Sequence, residues 1–235
     1  MDLQVITFDL DNTLWDVEPA LLRAEAAQNR WLAEHRPECA ARLNHGELWE
    51  LKKTVWRENP ELAHHVSALR KRYLKELQLR AGYGEQESEV GAEEAFALFL
   101  HERQRVELYD QALAVLEVLA RDYQLGALTN GNADVYKTDA GEYFDFAFLA
   151  EEVGASKPAP DMFEAAIRVS GAKPEQILHV GDNPEHDVMG ALNLGINAVW
   201  INPEGSEWRE TRPPLATIAT VAELPALLSE LRSRA

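Results

Sequence analysis

The sequence predicts an α/β protein whose core is a Rossmann-like parallel sheet flanked by helices, with an inserted all-helical cap. Short apolar, β-branched runs alternate with helical patterns from about residue 106 onward, which is typical of a parallel sheet with right-handed crossovers. An earlier run of the same kind, at residues 5–8, is separated from the others by a long stretch of helical periodicity. We therefore expect a Rossmann-like core from residues 1–15 and 106–235 and a helical cap from residues 16–105.

Composition and charge limit the class of protein. With 235 residues, 46% of them hydrophobic, the chain suits one large domain or two unequal domains. A single cysteine, Cys39, excludes an internal disulfide and indicates a reducing, cytoplasmic setting. We recognise neither a signal peptide nor a run of about 18 apolar residues, so we expect no membrane partner. The net charge of −17 argues against nucleic acid as a partner.

The inserted segment has the periodicity of helices. Apolar residues recur at helical spacing in four stretches, and Pro, Gly and Asn mark the breaks between them. The segment holds 14 Lys and Arg against 16 Asp and Glu, so most of the chain's negative charge lies in the core. We predict helices over 20–32, 48–56, 66–79 and 93–101, with breaks near Pro37, 44–46, 59–60 and 82–91, packed as a cap over the first loop.

Strand and helix patterns then alternate to the end of the chain. The strand candidates are four-residue apolar runs, and the helix candidates between them have apolar residues at helical spacing. The predicted strands lie at 125–128, 146–149, 177–180 and 198–201, and the predicted helices at 111–121, 133–143, 161–169, 188–194 and 221–231, with Asp161 as an N-cap.

The first strand ends in two carboxylates. Val5-Ile6-Thr7-Phe8 is followed by Asp9-Leu10-Asp11-Asn12-Thr13, and protein interiors exclude such acids unless they are paired or bound to a metal. Ligands of open α/β sheets bind beyond the carboxyl ends of strands, where Asp9 and Asp11 would lie. One carboxylate can attack an electrophile while the other moves a proton. The same residues also suit a turn rich in Asx and Ser/Thr side chains.

Two further loops carry groups suited to an anion. The Thr129 hydroxyl and the backbone N–H groups around Asn130 follow a strand and can bind a phosphoryl oxygen, although an ordinary glycine turn has the same composition. Lys157 precedes Pro158, which restricts the lysine backbone and can fix the ammonium group beside a phosphate and an aspartate. The alternative is a solvated loop lysine.

A later strand is also followed by acids. Asp182 comes directly after it, and Asp187 lies five positions further on. Mg²⁺ accepts one or two carboxylates together with waters and a phosphate oxygen, so Asp9, Asp182 and a carbonyl at Asp11 can form a partial site for this ion. Asp187 suits either a helix N-cap or a partner of the metal or of the loop lysine.

These four clusters resemble, in order, spacing and strand-end context, the four motifs of the haloacid dehalogenase-like hydrolase superfamily. The resemblance spans almost the whole chain, including the helical cap. It implies that Asp9 is the nucleophile and Asp11 the general acid and base. It further implies that Thr129 and Lys157 hold the phosphoryl group and that Asp182 binds Mg²⁺. The first strand is then central, flanked by the strands that end at Thr129 and Asp182.

The function implied is a Mg²⁺-dependent phosphatase that hydrolyses a small-molecule phosphate monoester through an aspartyl-phosphate. A 2-haloacid dehalogenase displaces halide without a proton donor or a metal, which would leave Asp11 and Asp182 without a purpose. A phosphomutase would share the phosphatase chemistry, and a noncatalytic binding module would keep only the fold. We expect a monomer or weak dimer.

Specificity is expected to come from the cap, which encloses the group that the phosphate carries. Trp49, Lys53 and Trp56 share one helix face and can stack a flat ring and attract an anion, or they can form cap core with lysine stems over it. His64 and Arg70 can contact an anion, or belong to a solvated basic face. The cap resembles those of phosphatases acting on FMN and on 5-amino-6-(5-phospho-D-ribitylamino)uracil, with nucleotide or sugar phosphate phosphatases as alternatives.

Overall fold

The structure, a computed structural model, describes residues 2–42 and 44–233. It divides into two compact units. The core unit comprises Met1–Val17 and Val106–Ala235, and the helical unit comprises Glu18–Arg105. No helix in the described ranges combines the length and the hydropathy that a membrane span requires.

A six-stranded parallel sheet forms the centre of the core unit, which confirms the predicted fold class. The first strand is buried along its whole length, as its apolar sequence predicts, and it lies between the strands that end near Thr129 and Asp182. The strand order is β3-β2-β1-β4-β5-β6. The strands are β1 Val5–Phe8, β2 Gln124–Thr129, β3 Phe146–Leu149, β4 Ile177–Gly181, β5 Asn197–Ile201 and β6 Ala216–Ile218.

The sixth strand was not predicted. It has three residues, and only Ile218 among them is fully buried, so it leaves no apolar run to recognise. Its pairing with β5 supplies the backbone hydrogen bonds that place it at the sheet edge.

The helical unit contains five helices among its described residues, and two of them differ from the prediction. The predicted break near Pro37 is confirmed, since the first helix ends at His35, but Pro37 then begins a short helix that was not predicted, at a position where its missing N–H costs nothing. Gly91 does not end a helix but lies inside the last one, at a position where a Cβ would come within 2.1 Å of Gln78 Oε1 and only glycine fits. The helices are α1 Val17–His35, α2 Pro37–Arg42, α3 His45–Glu58, α4 Val66–Arg80 and α5 Glu85–Arg103.

Helices pack on both faces of the sheet in the core unit. Ile6 and Phe8 point to one face, with apolar residues of the helices at 112–119 and 224–233, whereas Val5 points to the other, with Met162 and Phe163. The helices are α6 Ala112–Leu119, α7 Ala150–Val153, α8 Asp161–Ser170, α9 Gly190–Asn193 and α10 Leu224–Ser233.

Two local predictions for the core were wrong, the helix over 133–143 and the N-cap at Asp161, whereas the helix predicted over 188–194 is confirmed in part, since α9 lies within it. The segment 133–143 forms two 3₁₀ turns, Val135–Lys137 and Gly141–Tyr143, instead of one helix. Side chains there compete for the backbone, since Asp134 accepts from Tyr136 N–H and the Thr138 hydroxyl donates to a carbonyl. Asp161 is the first residue of α8 rather than its N-cap, and a π-helix, Pro184–Met189, precedes α9.

Candidate active site

A pocket of about 180 Å³ lies in the core unit at the carboxyl ends of β1, β2 and β4. Parallel strands bring their ends to one sheet edge, which is why residues far apart in sequence meet there. Every core residue proposed from the sequence lines this pocket. Its lining consists of Asp9, Asp11, Asn12, Thr129, Asn130, Gly131, Lys157, Asp182, Asn183, His186 and Asp187.

Lys157 joins two of the carboxylates. Its Nζ lies 2.7 Å from Asp9 Oδ1 and 2.6 Å from Asp187 Oδ1, and it also donates to the Leu128 carbonyl oxygen at 2.6 Å. The lysine is 2% exposed, so the solvated-loop alternative is wrong. Burial alone would lower the pKa of Lys157, but Asp187 and Asp9 outweigh it and raise that pKa, which keeps the ammonium charged.

The two carboxylates that hold this ammonium group differ in their electrostatics. Burial raises the pKa of Asp9 well above its usual value, although Lys157 opposes the shift. Burial would also raise the pKa of Asp187, but Lys157 and the neighbouring His179 hold it well below its usual value. The surroundings of Asp187 therefore favour its charged carboxylate, whereas the ionisation of Asp9 depends on the positive charge beside it.

Asn130 fixes the backbone from which Lys157 projects. Its side-chain Oδ1 accepts the Lys157 N–H at 2.8 Å, and its Nδ2 donates to the Lys157 carbonyl oxygen at 2.9 Å. The Asn130 side chain thus holds the lysine loop with both of its polar atoms. The predicted phosphate contact at this position therefore falls to the backbone N–H groups around Asn130. Thr129 Oγ1 accepts from Gly131 N–H at 3.0 Å, so its hydroxyl proton can be donated to an anion.

The loop after β1 turns sharply around Asp11. Asn12 adopts a left-handed conformation with φ of 62°, which asparagine tolerates better than most residues, and its N–H donates to the Trp15 carbonyl oxygen at 2.7 Å. The fully buried Trp15 donates its indole N–H to Asp11 Oδ1, also at 2.7 Å. This contact orients the Asp11 carboxyl group towards a fixed part of the pocket.

Asp182 lies directly after β4. Its backbone carbonyl accepts the Trp200 indole N–H at 2.7 Å, and its Oδ1 is 3.5 Å from the Thr13 hydroxyl. Burial, together with the charge of Asp187, raises the pKa of Asp182 to about 6. In the metal-free protein, ionisation of Asp182 therefore lowers the free energy of unfolding.

Replacing Asp182 by Asn is expected to stabilise the metal-free protein at high pH. The folded-state pKa exceeds that of an unfolded aspartate, about 4, so the folded protein binds more protons and loses stability as pH rises from about 4 to 6. Asparagine does not ionise, so the variant does not lose this part of the free energy of unfolding, which is about 1 to 2 kcal/mol for a partly exposed group. Urea unfolding in EDTA should show the difference at pH 8 and little at pH 4. Asp139→Asn, at an exposed acid, should show none, and a destabilised Asp182→Asn variant at pH 8 would contradict the prediction.

Asp187 lies inside the π-helix, so its proposed role as an N-cap is wrong. Asn183 is the N-cap, since its Oδ1 accepts from the backbone N–H groups of Glu185 and His186. Asp187 Oδ2 accepts the Asn183 N–H at 2.9 Å, and Oδ1 accepts from Lys157. Asp187 is thus a partner of the lysine, the other role that the sequence allowed.

Several residues near the pocket were missed in the sequence. Thr7 and His179 lie side by side in β1 and β4 and are fully buried, and the His179 ring reaches Asp187. Each is the one polar residue in its apolar run, which is a readable signal, but only the sheet register brings them together. The pocket lining also includes His186, whose place depends on the unpredicted π-helix.

The residues proposed for substrate choice lie in the helical unit. Trp49 is 56% exposed with Lys53 Nζ 5.7 Å from its ring, whereas Trp56 packs against the core of this unit. His64 lies just before α4 and is partly exposed. The Arg70 side chain is 13% exposed and lies 3.6 Å from the Phe99 ring centroid, so the solvated-face alternative is wrong for it. Contact of these residues with substrate stays a prediction.

Comparisons with known proteins support a hydrolase. A family model of haloacid dehalogenase-like hydrolases matches residues 3–195. The 5-amino-6-(5-phospho-D-ribitylamino)uracil phosphatase YigB of Escherichia coli (strain K12) is 34% identical, over 96% of this chain and 96% of its own. The N-acylneuraminate-9-phosphatase of Homo sapiens is 29% identical, over 97% and 95% of the two chains. The crystal structure of a 2-haloacid dehalogenase from Pseudomonas syringae pv. Tomato DC3000 is 40% identical, with a TM-score of 0.91 and coverage of 97% and 99%.

Proposed function

This chain belongs to the haloacid dehalogenase-like hydrolase family as a phosphoric monoester hydrolase, and we propose that it uses Mg²⁺ and a phosphorylated Asp9 to hydrolyse a small-molecule ester. The observation that carries this proposal is the Lys157 ammonium held between Asp9 and Asp187 in a pocket that is otherwise polar throughout. Such a pocket suits the charge of a phosphoryl group, for which electrostatic stabilisation and positioning are the main catalytic effects.

The carboxylates of the pocket fit a divalent cation. Asp9, Asp182 and Asp187 each offer one oxygen within 4.8 Å of the others, and hard cations prefer oxygen ligands. Asp187 already accepts hydrogen bonds from Lys157 and Asn183, so we assign Asp9, Asp182 and the Asp11 carbonyl as the Mg²⁺ ligands. When bound, the ion supplies positive charge that offsets the negative charge of the phosphoryl oxygens.

The first displacement transfers the phosphoryl group to the protein. A carboxylate oxygen of Asp9 forms a bond to phosphorus while the bond from phosphorus to the ester oxygen breaks. Asp11 gives its proton to the departing oxygen, from the position set by the Trp15 indole. Lys157 and Thr129 donate hydrogen bonds to phosphoryl oxygens and thereby stabilise the charge of the transition state.

The second displacement regenerates Asp9. The Asp11 carboxylate, now deprotonated, takes a proton from water as the water oxygen attacks phosphorus, and the bond between phosphorus and Asp9 breaks to release inorganic phosphate. Each residue returns to its starting protonation state, so the cycle consumes one ester and one water. Trp15 serves both steps because it orients the same Asp11 carboxyl group throughout.

We expect FMN or 5-amino-6-(5-phospho-D-ribitylamino)uracil to be turned over with a higher kcat/KM than simple sugar phosphates. The 34% identity to a phosphatase named for the latter compound, over nearly the full length of both chains, supports this choice. Phosphate release should be measured across a panel of esters with Mg²⁺, with EDTA as the control. EDTA should reduce turnover at least about 100-fold, because the carboxylates then face the phosphoryl oxygens unscreened. Preference for sugar phosphates would contradict the substrate assignment, and full activity in EDTA would contradict the metal.

A dehalogenase is the second candidate, because the bacterial structure at 40% identity is of a protein named for that activity. A 2-haloacid carries an alkyl part, and apart from Gly131 the pocket is lined by polar side chains alone. Dehalogenation also gives no role to Asp182. Chloride release from 2-chloropropionate in EDTA, without phosphate release from any ester, would favour the dehalogenase.

A further inference from the structure

A chain of buried hydrogen bonds runs from β1 to the pocket. Thr7 in β1 and His179 in β4 are register partners, and both are 0% exposed. Thr7 Oγ1 lies 2.9 Å from His179 Nδ1, and His179 Nε2 lies 3.3 Å from Asp187 Oδ1. Neither Thr7 nor His179 lines the pocket, and their hydrogen bonds reach it through Asp187.

The direction of these hydrogen bonds follows from the groups involved. The Asp187 carboxylate can only accept, so the proton of a neutral imidazole must be on Nε2. Nδ1 then carries a lone pair and accepts the Thr7 hydroxyl proton. Burial lowers the pKa of His179, in agreement with a neutral ring. Thr7 thereby selects one of the two tautomers, the one that donates to Asp187.

His179 and Lys157 share one oxygen of Asp187. Both donate to Oδ1, while the Asn183 N–H donates to Oδ2, so the carboxylate has donors on both oxygens. The Asp187 carboxylate also packs closely on the backbone of Gly181, where an added Cβ would come within 2.4 Å of Asp187 Cγ. This close packing limits the positions that the carboxylate can take. The edge-to-face contact of His179 with Phe163, at 5.1 Å between centroids, fixes the imidazole plane from the other side.

We propose that His179 is a positioning residue for phosphoryl transfer, which keeps Asp187 turned towards Lys157 and thereby keeps the ammonium group on Asp9. The role in turnover rests on the proposed function, whereas the tautomer and the carboxylate geometry do not. Lys157 Nζ bridges Asp187 Oδ1 and Asp9 Oδ1 at 2.6 and 2.7 Å, so a rotation of Asp187 draws the ammonium away from the nucleophile. His179 thus supports the charge balance at Asp9 without touching substrate.

The first test is the tautomer in the wild-type protein without metal. Nitrogen-15 NMR of the imidazole rings should show His179 protonated on Nε2 and unprotonated on Nδ1, with the signal assigned by its absence from His179→Gln. Thr7→Val, which lacks the hydroxyl, should move His179 towards a mixture of tautomers, and Thr7→Ser should not. A wild-type ring protonated on Nδ1 would overturn the proposal.

The second test separates positioning from folding. His179→Leu removes the donor to Asp187 and should lower kcat about 10- to 100-fold with KM changed less than about threefold, as is typical when a partner of a site residue is lost. His179→Gln keeps an N–H at the position of Nε2 and should restore most of the rate. Turnover of folded His179→Leu within about twofold of wild type would overturn the proposal, as would equal losses in the Gln and Leu variants.

The two proposals fail separately. A wild-type protein that releases no phosphate from any ester would contradict the proposed function, while the NMR experiment would still decide the tautomer. An active wild type with an Nδ1-protonated ring would contradict the role of His179 alone. If His179→Leu does not fold, Thr7→Val carries the comparison with Thr7→Ser as its control, because it removes the hydroxyl that selects the tautomer with little change in volume and should lower kcat, whereas Thr7→Ser should not.

Discussion

Replacing Asp9 by Asn is expected to lower phosphate release about 10⁴-fold or more while the protein stays folded. An amide oxygen lacks the charge of the attacking carboxylate, so no aspartyl-phosphate forms, and loss of a nucleophile is among the largest single effects in enzymes. Burial already favours the uncharged form of this residue, so the amide should be tolerated in the folded state. Initial rates with FMN and Mg²⁺, together with thermal unfolding, would measure both effects.

The matched control for Asp9 is Asp139→Asn, the same chemical change at an exposed position of the core unit. It should leave both the rate and the midpoint of unfolding unchanged. Turnover of Asp9→Asn within about tenfold of wild type, in protein free of wild-type contamination, would rule out Asp9 as the nucleophile.

Replacing Lys157 by Met is expected to destabilise the protein by about 3 to 5 kcal/mol. The ammonium is the shared partner of two buried carboxylates, and removing one member of such a group leaves uncompensated buried charge. Urea unfolding at pH 7.5 would measure the loss. Turnover should fall as well, because the phosphoryl oxygens lose a fixed positive charge.

The pH dependence of the Lys157→Met effect separates charge from lost packing. In the wild type, the depressed pKa of Asp187 contributes stability that is present above about pH 4 and is lost as pH falls towards the folded-state pKa. In the variant, the Asp187 and Asp9 carboxylates have no ammonium group beside them, so burial favours their protonated forms. Protonation as pH falls removes that buried charge, so the stability difference between the two proteins should narrow between pH 7 and pH 4. The double variant Lys157→Met with Asp187→Asn should recover part of the loss, since it removes one of the orphaned charges.

Lys173→Met, at an exposed lysine of the core unit, should change neither stability nor rate. A loss in Lys157→Met that is equal at pH 4 and pH 7.5, and unaffected by Asp187→Asn, would mean that packing of the lysine stem dominates.

Much of the site was predictable because its residues directly follow apolar strands. The run Val5–Phe8 identified the central strand, and the polar residues after it and after β2 and β4 identified the pocket edge. A parallel sheet obliges those ends to meet, so no knowledge of side-chain contacts was needed. The assignment of Asp182 to the pocket followed in the same way.

The remainder depended on tertiary packing that leaves little local pattern. The short strand Ala216–Ile218 is set by pairing with β5, and Gly91 lies within α5 because glycine there permits a close approach to Gln78 of α4 and does not mark a break. The place of Asp187 depends on the π-helix and on its contact with Lys157. The partnership of Thr7 with His179 depends on the register of β1 against β4, which neither strand encodes by itself.

The position of β1 between β2 and β4 determines what a measurement of specific activity reports about a preparation of the protein. Asp9 and Lys157 are 148 residues apart in the sequence, yet their contact requires both neighbours of β1 to be in register. A molecule in which β1 has not paired with β2 and β4 lacks the contact between Asp9 and Lys157, so under the proposed mechanism it would not turn over substrate. Under that mechanism, specific activity reports the fraction of molecules in which the central strands are correctly paired, a property that helix content does not measure.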